Sequence, residues 1–100
     1  MKINIKATNA KLTPEAHEMI NEKVGGLTKY FDNIIEADVE IGLISFHHRN
    51  GDNFRAEINL TVPGTVLRAE AETDNIEKSI NEAKDKMKQE LIKYKEKKQE

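Results

Sequence analysis

Between residues 36 and 73 apolar side chains alternate with polar ones around two turn signals, Asn50-Gly51 and Pro63-Gly64, and this alternation constrains the chain more than any other feature. Successive side chains on a strand point to opposite faces, so slipping the pairing by one residue moves every apolar group into water. A two-residue turn at Asn50-Gly51 sets Phe54, Ile58, Leu60 and Val62 opposite His47, Leu43, Ile41 and Val39. A turn at Pro63-Gly64 sets Leu67, Ala69 and Ala71 opposite Leu60, Ile58 and Ala56. Both turns put the apolar set on one face. The other face carries Glu40, Arg55, Glu57, Asn59, Arg68, Glu70 and Glu72, with Glu57 opposite Glu70 and the two arginines on the diagonals. Its apolar exceptions are Ile44 and Phe46.

A sheet with one apolar face needs a cover, and the flanking sequence supplies it. Residues 2 to 8 alternate, with Ile3, Ile5 and Ala7 on one face, and predict another half-buried strand. Thr13 then offers a helix cap and Pro14 suits the first turn, after which Ala16, Met19, Ile20, Val24, Leu27, Tyr30 and Phe31 recur at helical spacing. Gly25-Gly26 interrupts that pattern, so the helix either tightens there against a neighbour or breaks before Leu27. Asp74 with Glu77 reads as the cap of a second helix, whose apolar stripe is Ile76, Ile80, Ala83, Met87, Leu91 and Tyr94 and which runs to about residue 95. The order is βαβββα. This predicts an α+β domain, a four-stranded mixed sheet with two helices packed on one face, in which the first two strands are parallel and the rest form a meander. One domain is expected over residues 1 to 95, followed by a polar tail over 96 to 100.

The chain has 100 residues and no cysteine, which excludes a disulfide scaffold, a thiolate metal site and a cysteine nucleophile, and points to the cytoplasm. The start of the chain alternates instead of running apolar, and no stretch approaches the ~20 apolar residues of a membrane span. Net charge is −2, yet residues 78 to 100 hold eight basic and five acidic side chains. At a Debye length of ~8 Å the local excess is what a polyanion meets. On a helical wheel Lys84, Lys88 and Lys95 lie along one flank of the second apolar stripe, and Lys86, Lys93 and Lys97 along the other. Two readings follow. The lysines cover core edges with their stems and keep their heads wet, or they form a phosphate-contacting ridge, joined by Lys23 and Lys29 where the first helix packs alongside.

Asn9 and Thr13 before the first helix, Leu27-Thr28-Lys29-Tyr30-Phe31-Asp32 at its end, Ala69-Glu70-Ala71 on the last strand, Asp74, Ile76, Ile80, Asp85-Lys86-Met87, Leu91, Lys93, Lys95 and Lys97 form an ordered set over nearly the whole chain. That set resembles the ribosome hibernation-promoting factors, also called ribosome-associated inhibitors or protein Y. The resemblance implies a two-layer sandwich like that of double-stranded-RNA-binding domains. It further implies a protein that binds the small ribosomal subunit and its ribosomal RNA near the mRNA and tRNA decoding channel, silencing translation by occupancy in stationary phase or stress. Such factors catalyse nothing; for this chain a monomer is expected, with no cofactor and no small-molecule substrate. The resemblance assigns RNA contact to Lys23, Lys86, Lys93, Lys95 and Lys97; the wheel adds Lys29, Lys84 and Lys88. Gly26 and Gln89 depart from the pattern, since family members often carry a basic residue there. Long members of the family add a dimerising domain, so this chain reads as a short factor or as the first domain of a long one, and by itself is not expected to pair ribosomes.

Other signals carry less. His47, His48 and Asp52 suggest a metal site, but adjacent strand residues point apart. His17 lies off the apolar stripe and is read as solvated. Glu70 and Glu72 share an open face with arginines, which keeps both ionised, and neither Ser45 nor Ser79 has a recognisable His/Asp company. Tyr30 and Phe31 offer rings that stack on bases, yet their helical spacing with Leu27 assigns them to the core. The alternative function is a protein-interaction module that uses the outer sheet face around Ile44 and Phe46.

Overall fold

The alternating segments become a sheet that runs β1-β2-β3-β4 in space as in sequence: β1 Lys2–Thr8, β2 Glu36–Leu43, β3 Phe54–Val62 and β4 Thr65–Thr73. The helices are α1, Pro14–Gly25, and α2, Ile76–Lys98. This computed structural model describes residues 1–44 and 53–98. β1 pairs parallel with β2, Ile5 opposite Val39, while β2–β3 and β3–β4 are antiparallel. The predicted α+β order and topology are those observed.

The β3–β4 register is the one Pro63-Gly64 dictates, with Leu60 opposite Leu67 and Glu57 opposite Glu70. Gly64 takes φ of 88°, a left-handed conformation that costs glycine nothing. The β2–β3 register differs from expectation. Phe54 pairs with Leu43 and Ile58 with Val39, four positions from the pairing an Asn50-Gly51 turn implies. Val39, Ile41 and Leu43 meet apolar partners in either register; the observed one also pairs Ala37 with Leu60 and moves Phe54 from His47 to Leu43. Four is even, so every side chain keeps its face. The turn itself lies outside the described residues.

Ile20 and Val24 of α1, with Ile80, Ala83, Met87 and Leu91 of α2, are fully buried against Ile41, Ile58 and Leu60 of the sheet. Thr13 caps α1 as expected, its Oγ1 accepting from the Ala16 N–H at 3.1 Å. At the glycine pair the α-helix ends, ahead of Leu27, and the chain tightens directly into a 3₁₀ turn over Gly26–Lys29 that sinks Leu27 into the core. The cap of α2 is Asn75, not Asp74: Asn75 Oδ1 accepts from the Lys78 N–H at 2.7 Å. Thr73 Oγ1 donates to the Asn75 carbonyl at 2.7 Å, fixing the helix entry one residue later. Ser79 is buried there as a structural group, donating to the Phe54 carbonyl at 3.1 Å. Helix α2 continues through Lys98, so residues 96–98, expected in the tail, are helical. Lysine and glutamate are good helix formers and no Gly or Pro interrupts them.

Candidate nucleic-acid interface

Helix α2 turns its Met87–Leu91 stripe into the core and leaves its lysines on two flanks. The flank toward α1 meets that helix and the 3₁₀ turn across a groove of about 360 Å³. Lys23, Lys29, Lys84 and Lys88 line it together with Tyr30, facing two acids, Glu22 and Asp85. Lys23, Lys84 and Lys88 are half-buried, their stems covering the seam between the helices, while Lys29 is exposed. Among the described residues none of these four lysines takes part in an ion pair. Four lysines against two acids leave the groove with a positive excess.

The other flank lies along the free edge of β4 and is differently engaged. Lys86 donates from Nζ to the Glu70 carbonyl at 2.9 Å and shares a shallow groove of about 500 Å³ with Arg68 and Glu90. Lys93 Nζ sits 3.7 Å from Glu90 Oε1, and Lys93 and Lys97 border the next depression beside Leu67 and Tyr94. Lys95 is exposed. The eight lysines read from the sequence thus form no single ridge: four meet between the helices, three line the β4 edge, and Lys95 borders neither groove.

Tyr30 corrects the sequence reading. Expected in the core, it is 36% exposed, and Lys88 Nζ lies 5.0 Å from its ring centroid. The regular helix ends at Gly25, so helical spacing no longer governs where Tyr30 points. Phe31 does pack inward, edge-on to Tyr94 with centroids 5.3 Å apart. The glycine pair ahead of Leu27 was the signal in the sequence that this turn departs from helix geometry.

The outer sheet face carries an ion network that neutralises itself. Arg55 bonds both Glu57, at 2.9 Å, and Glu70, while Arg68 reaches Glu57 at 3.0 Å and Glu70 at 3.5 Å. A hydrogen bond from Asn59, backed by the charge of Arg68, holds the Glu57 carboxyl below the ordinary carboxylate range, and a hydrogen bond from Arg55 does the same for Glu70. Across that face six acids, Glu36, Asp38, Glu40, Glu57, Glu70 and Glu72, outnumber Lys2, Lys6, Arg55 and Arg68, whereas α2 holds eight lysines to five acids. The molecule is polarised, positive along α2 and negative across the strands.

Ile44 is 43% exposed at the end of β2. Ser45, Phe46, His47, His48 and Asp52 lie outside the described residues. Among the described residues no group of three His, Cys, Asp or Glu side chains is placed to hold a metal, and no helix is long and apolar enough to cross a membrane. His17 is exposed.

Comparison with known proteins bears on this geometry. The chain is 33% identical over 98 residues to a ribosome hibernation promotion factor of Picosynechococcus sp., covering 97% of this chain and 50% of that one. It is 27% identical over 95 residues to the factor of that name from Bacillus subtilis, covering 95% and 49%. The chain thus spans about half the length of these relatives. A ribosome hibernation promoting factor of Acinetobacter guillouiae is 28% identical and 87% covered. In fold the chain is similar to a ribosomal subunit interface protein from Coxiella burnetii, with TM-score 0.82 and 22% identity over 95% of this chain and 98% of that one. It is also similar to the N-terminal domain of Thermus thermophilus protein Y, with TM-score 0.79 and 24% identity over 94% and 99%. The family described as sigma 54 modulation protein / S30EA ribosomal protein matches residues 3–99, and the chain belongs to that family.

Proposed function

We propose that this chain binds the small ribosomal subunit near the mRNA and tRNA decoding channel and silences translation by occupying it, as a non-enzymatic hibernation factor of the cytoplasm acting as a monomer. The observation that carries this reading is the convergence of Lys23, Lys29, Lys84 and Lys88 on one groove, from helices distant in sequence, in a chain whose total charge is −2. Four lysines against Glu22 and Asp85 leave the groove locally positive, a field that attracts a polyanion whatever the total charge. The relatives are named for ribosome hibernation, which supports folded ribosomal RNA as the anion in this reading. The outer sheet face, by contrast, has its central charges already paired, which favours the RNA reading over a protein-docking role for that face.

Binding through phosphates releases counterions, so log affinity falls linearly with log salt, by roughly 0.7 to 0.9 per phosphate neutralised. Co-sedimentation of the chain with purified small subunits over a salt series tests the reading. Wild type is expected to show a steep slope, and Lys84→Gln with Lys88→Gln a shallower one; a flat response in wild type rejects it. Added mRNA and tRNA are expected to compete with the chain.

A further inference from the structure

Tyr30 and Phe31 are adjacent, yet the chain uses their rings oppositely. Phe31 turns inward, edge-on to Tyr94 at an interplanar angle of 89°. Tyr30 turns outward, its backbone N–H held by the Leu27 carbonyl at 3.0 Å and its ring on the wall of the interhelical groove. An exposed tyrosine alone means little. What distinguishes this one is its company: Lys23, Lys29, Lys84 and Lys88 line the same groove, and the Lys88 ammonium sits over the ring at 5.0 Å, restricting where the ring can lie. A lysine ridge alone suffices for a duplex, whose base faces are hidden within the stack and whose backbone presents only phosphate and sugar. A flat ring among cations matches instead what an unpaired nucleotide offers, a base face with phosphates on either side.

We infer that Tyr30 is a stacking platform for one unpaired nucleobase on the ring face opposite Lys88, with Lys23, Lys29 and Lys84 taking the neighbouring phosphates and Lys88 adding its charge while holding the ring in position. The inference rests on the reading that this groove takes RNA, and it adds the class of RNA: an unstacked, single-stranded nucleotide rather than a helical segment. Stacking is nearly independent of salt, whereas phosphate contact is not, so the two contributions separate in one experiment.

The probes are an eight-nucleotide single-stranded RNA, a blunt-ended RNA duplex without unpaired nucleotides and purified small subunits, each titrated over a salt series with the full chain. Tyr30→Leu is expected to weaken binding to the single strand and to subunits by about 5- to 150-fold, the equivalent of about 1–3 kcal/mol, with the log–log slope unchanged. Tyr30→Phe, which keeps the ring, recovers most of that loss, and the loss on the single strand exceeds that on the duplex at least five-fold. Lys88→Gln lowers the slope. If Tyr30→Leu binds the single strand like wild type while the lysine variants weaken it, the stacking inference fails and the phosphate reading stands. If the lysine variants are also silent, the groove is not the RNA site and both fall. Equal losses on strand and duplex with a lowered Tm make Tyr30 a packing residue and overturn the inference.

Discussion

The phenol of Tyr94 donates a 2.6 Å hydrogen bond to the backbone carbonyl of Pro63. This contact pins the end of the last helix to the tight turn between β3 and β4, and with the edge-on Phe31 ring it sets the line of α2 across the sheet. The position of both lysine flanks depends on that line.

Removing the hydroxyl by Tyr94→Phe keeps the ring contact and leaves the Pro63 carbonyl without this donor. The expected cost is about 1 kcal/mol, which for a domain of this size lowers Tm by about 4–8 °C. Thermal unfolding followed by circular dichroism checks it.

Lys86 and Lys95 look alike in sequence and are predicted to behave differently. Lys86 is tied to the Glu70 carbonyl at 2.9 Å on an edge strand, so Lys86→Glu loses that bond and sets a carboxylate beside Glu70 and Glu90, at a cost of about 1 kcal/mol. Lys95 is exposed, and Lys95→Glu stays within about 0.5 kcal/mol of wild type. Urea unfolding of the two variants separates them.

The outer ion network makes stability depend on acid. Glu57 and Glu70 have carboxyls held below their ordinary range in the folded chain, so the unfolded state binds more protons as pH falls. Their contribution is complete above the unfolded carboxylate value of about 4.3 and is lost as pH drops through the lowered folded values. Tm measured from pH 7 to pH 3 is expected to fall less steeply for Glu57→Gln with Glu70→Gln than for wild type. Because both groups are partly or fully solvated, added salt shrinks the difference.

Gly26 has φ of −64° and ψ of −15°, a conformation open to any residue, and a Cβ there meets nothing within 4 Å. Gly26→Ala is expected to stabilise by about 0.4–1 kcal/mol, through the unfolded chain's lost freedom. Gly26 also borders the interhelical groove. Gly26→Lys is therefore expected to keep most of that gain and to add a cation, steepening the salt dependence of subunit binding by about 0.7 to 0.9. An unchanged slope contradicts the placement of RNA in this groove.

Much of this architecture is legible in local pattern. Alternation assigned the buried face of each strand, Pro63-Gly64 predicted the β3–β4 register, and Thr13-Pro14 marked the start of α1. Each depends on chemistry within a few residues. The β2–β3 register escapes a local turn signal, because matching Ala37 through Leu43 against Phe54 through Leu60 involves two whole strands at once. Asn75 displaced Asp74 as the cap for a similar reason, since Thr73 holds the Asn75 carbonyl at the sheet's edge.

Charge divides the same way. That α2 is lysine-rich, amphipathic and opposite in sign to the strands follows from residue order alone, because periodicity and charge excess belong to a single segment. Which lysines act together does not, since Lys23 and Lys84 become neighbours only when two helices cross on one sheet. The 3₁₀ turn between Gly26 and Lys29, closing against the core through Leu27, is what sends Tyr30 out into that crossing instead of into the apolar layer.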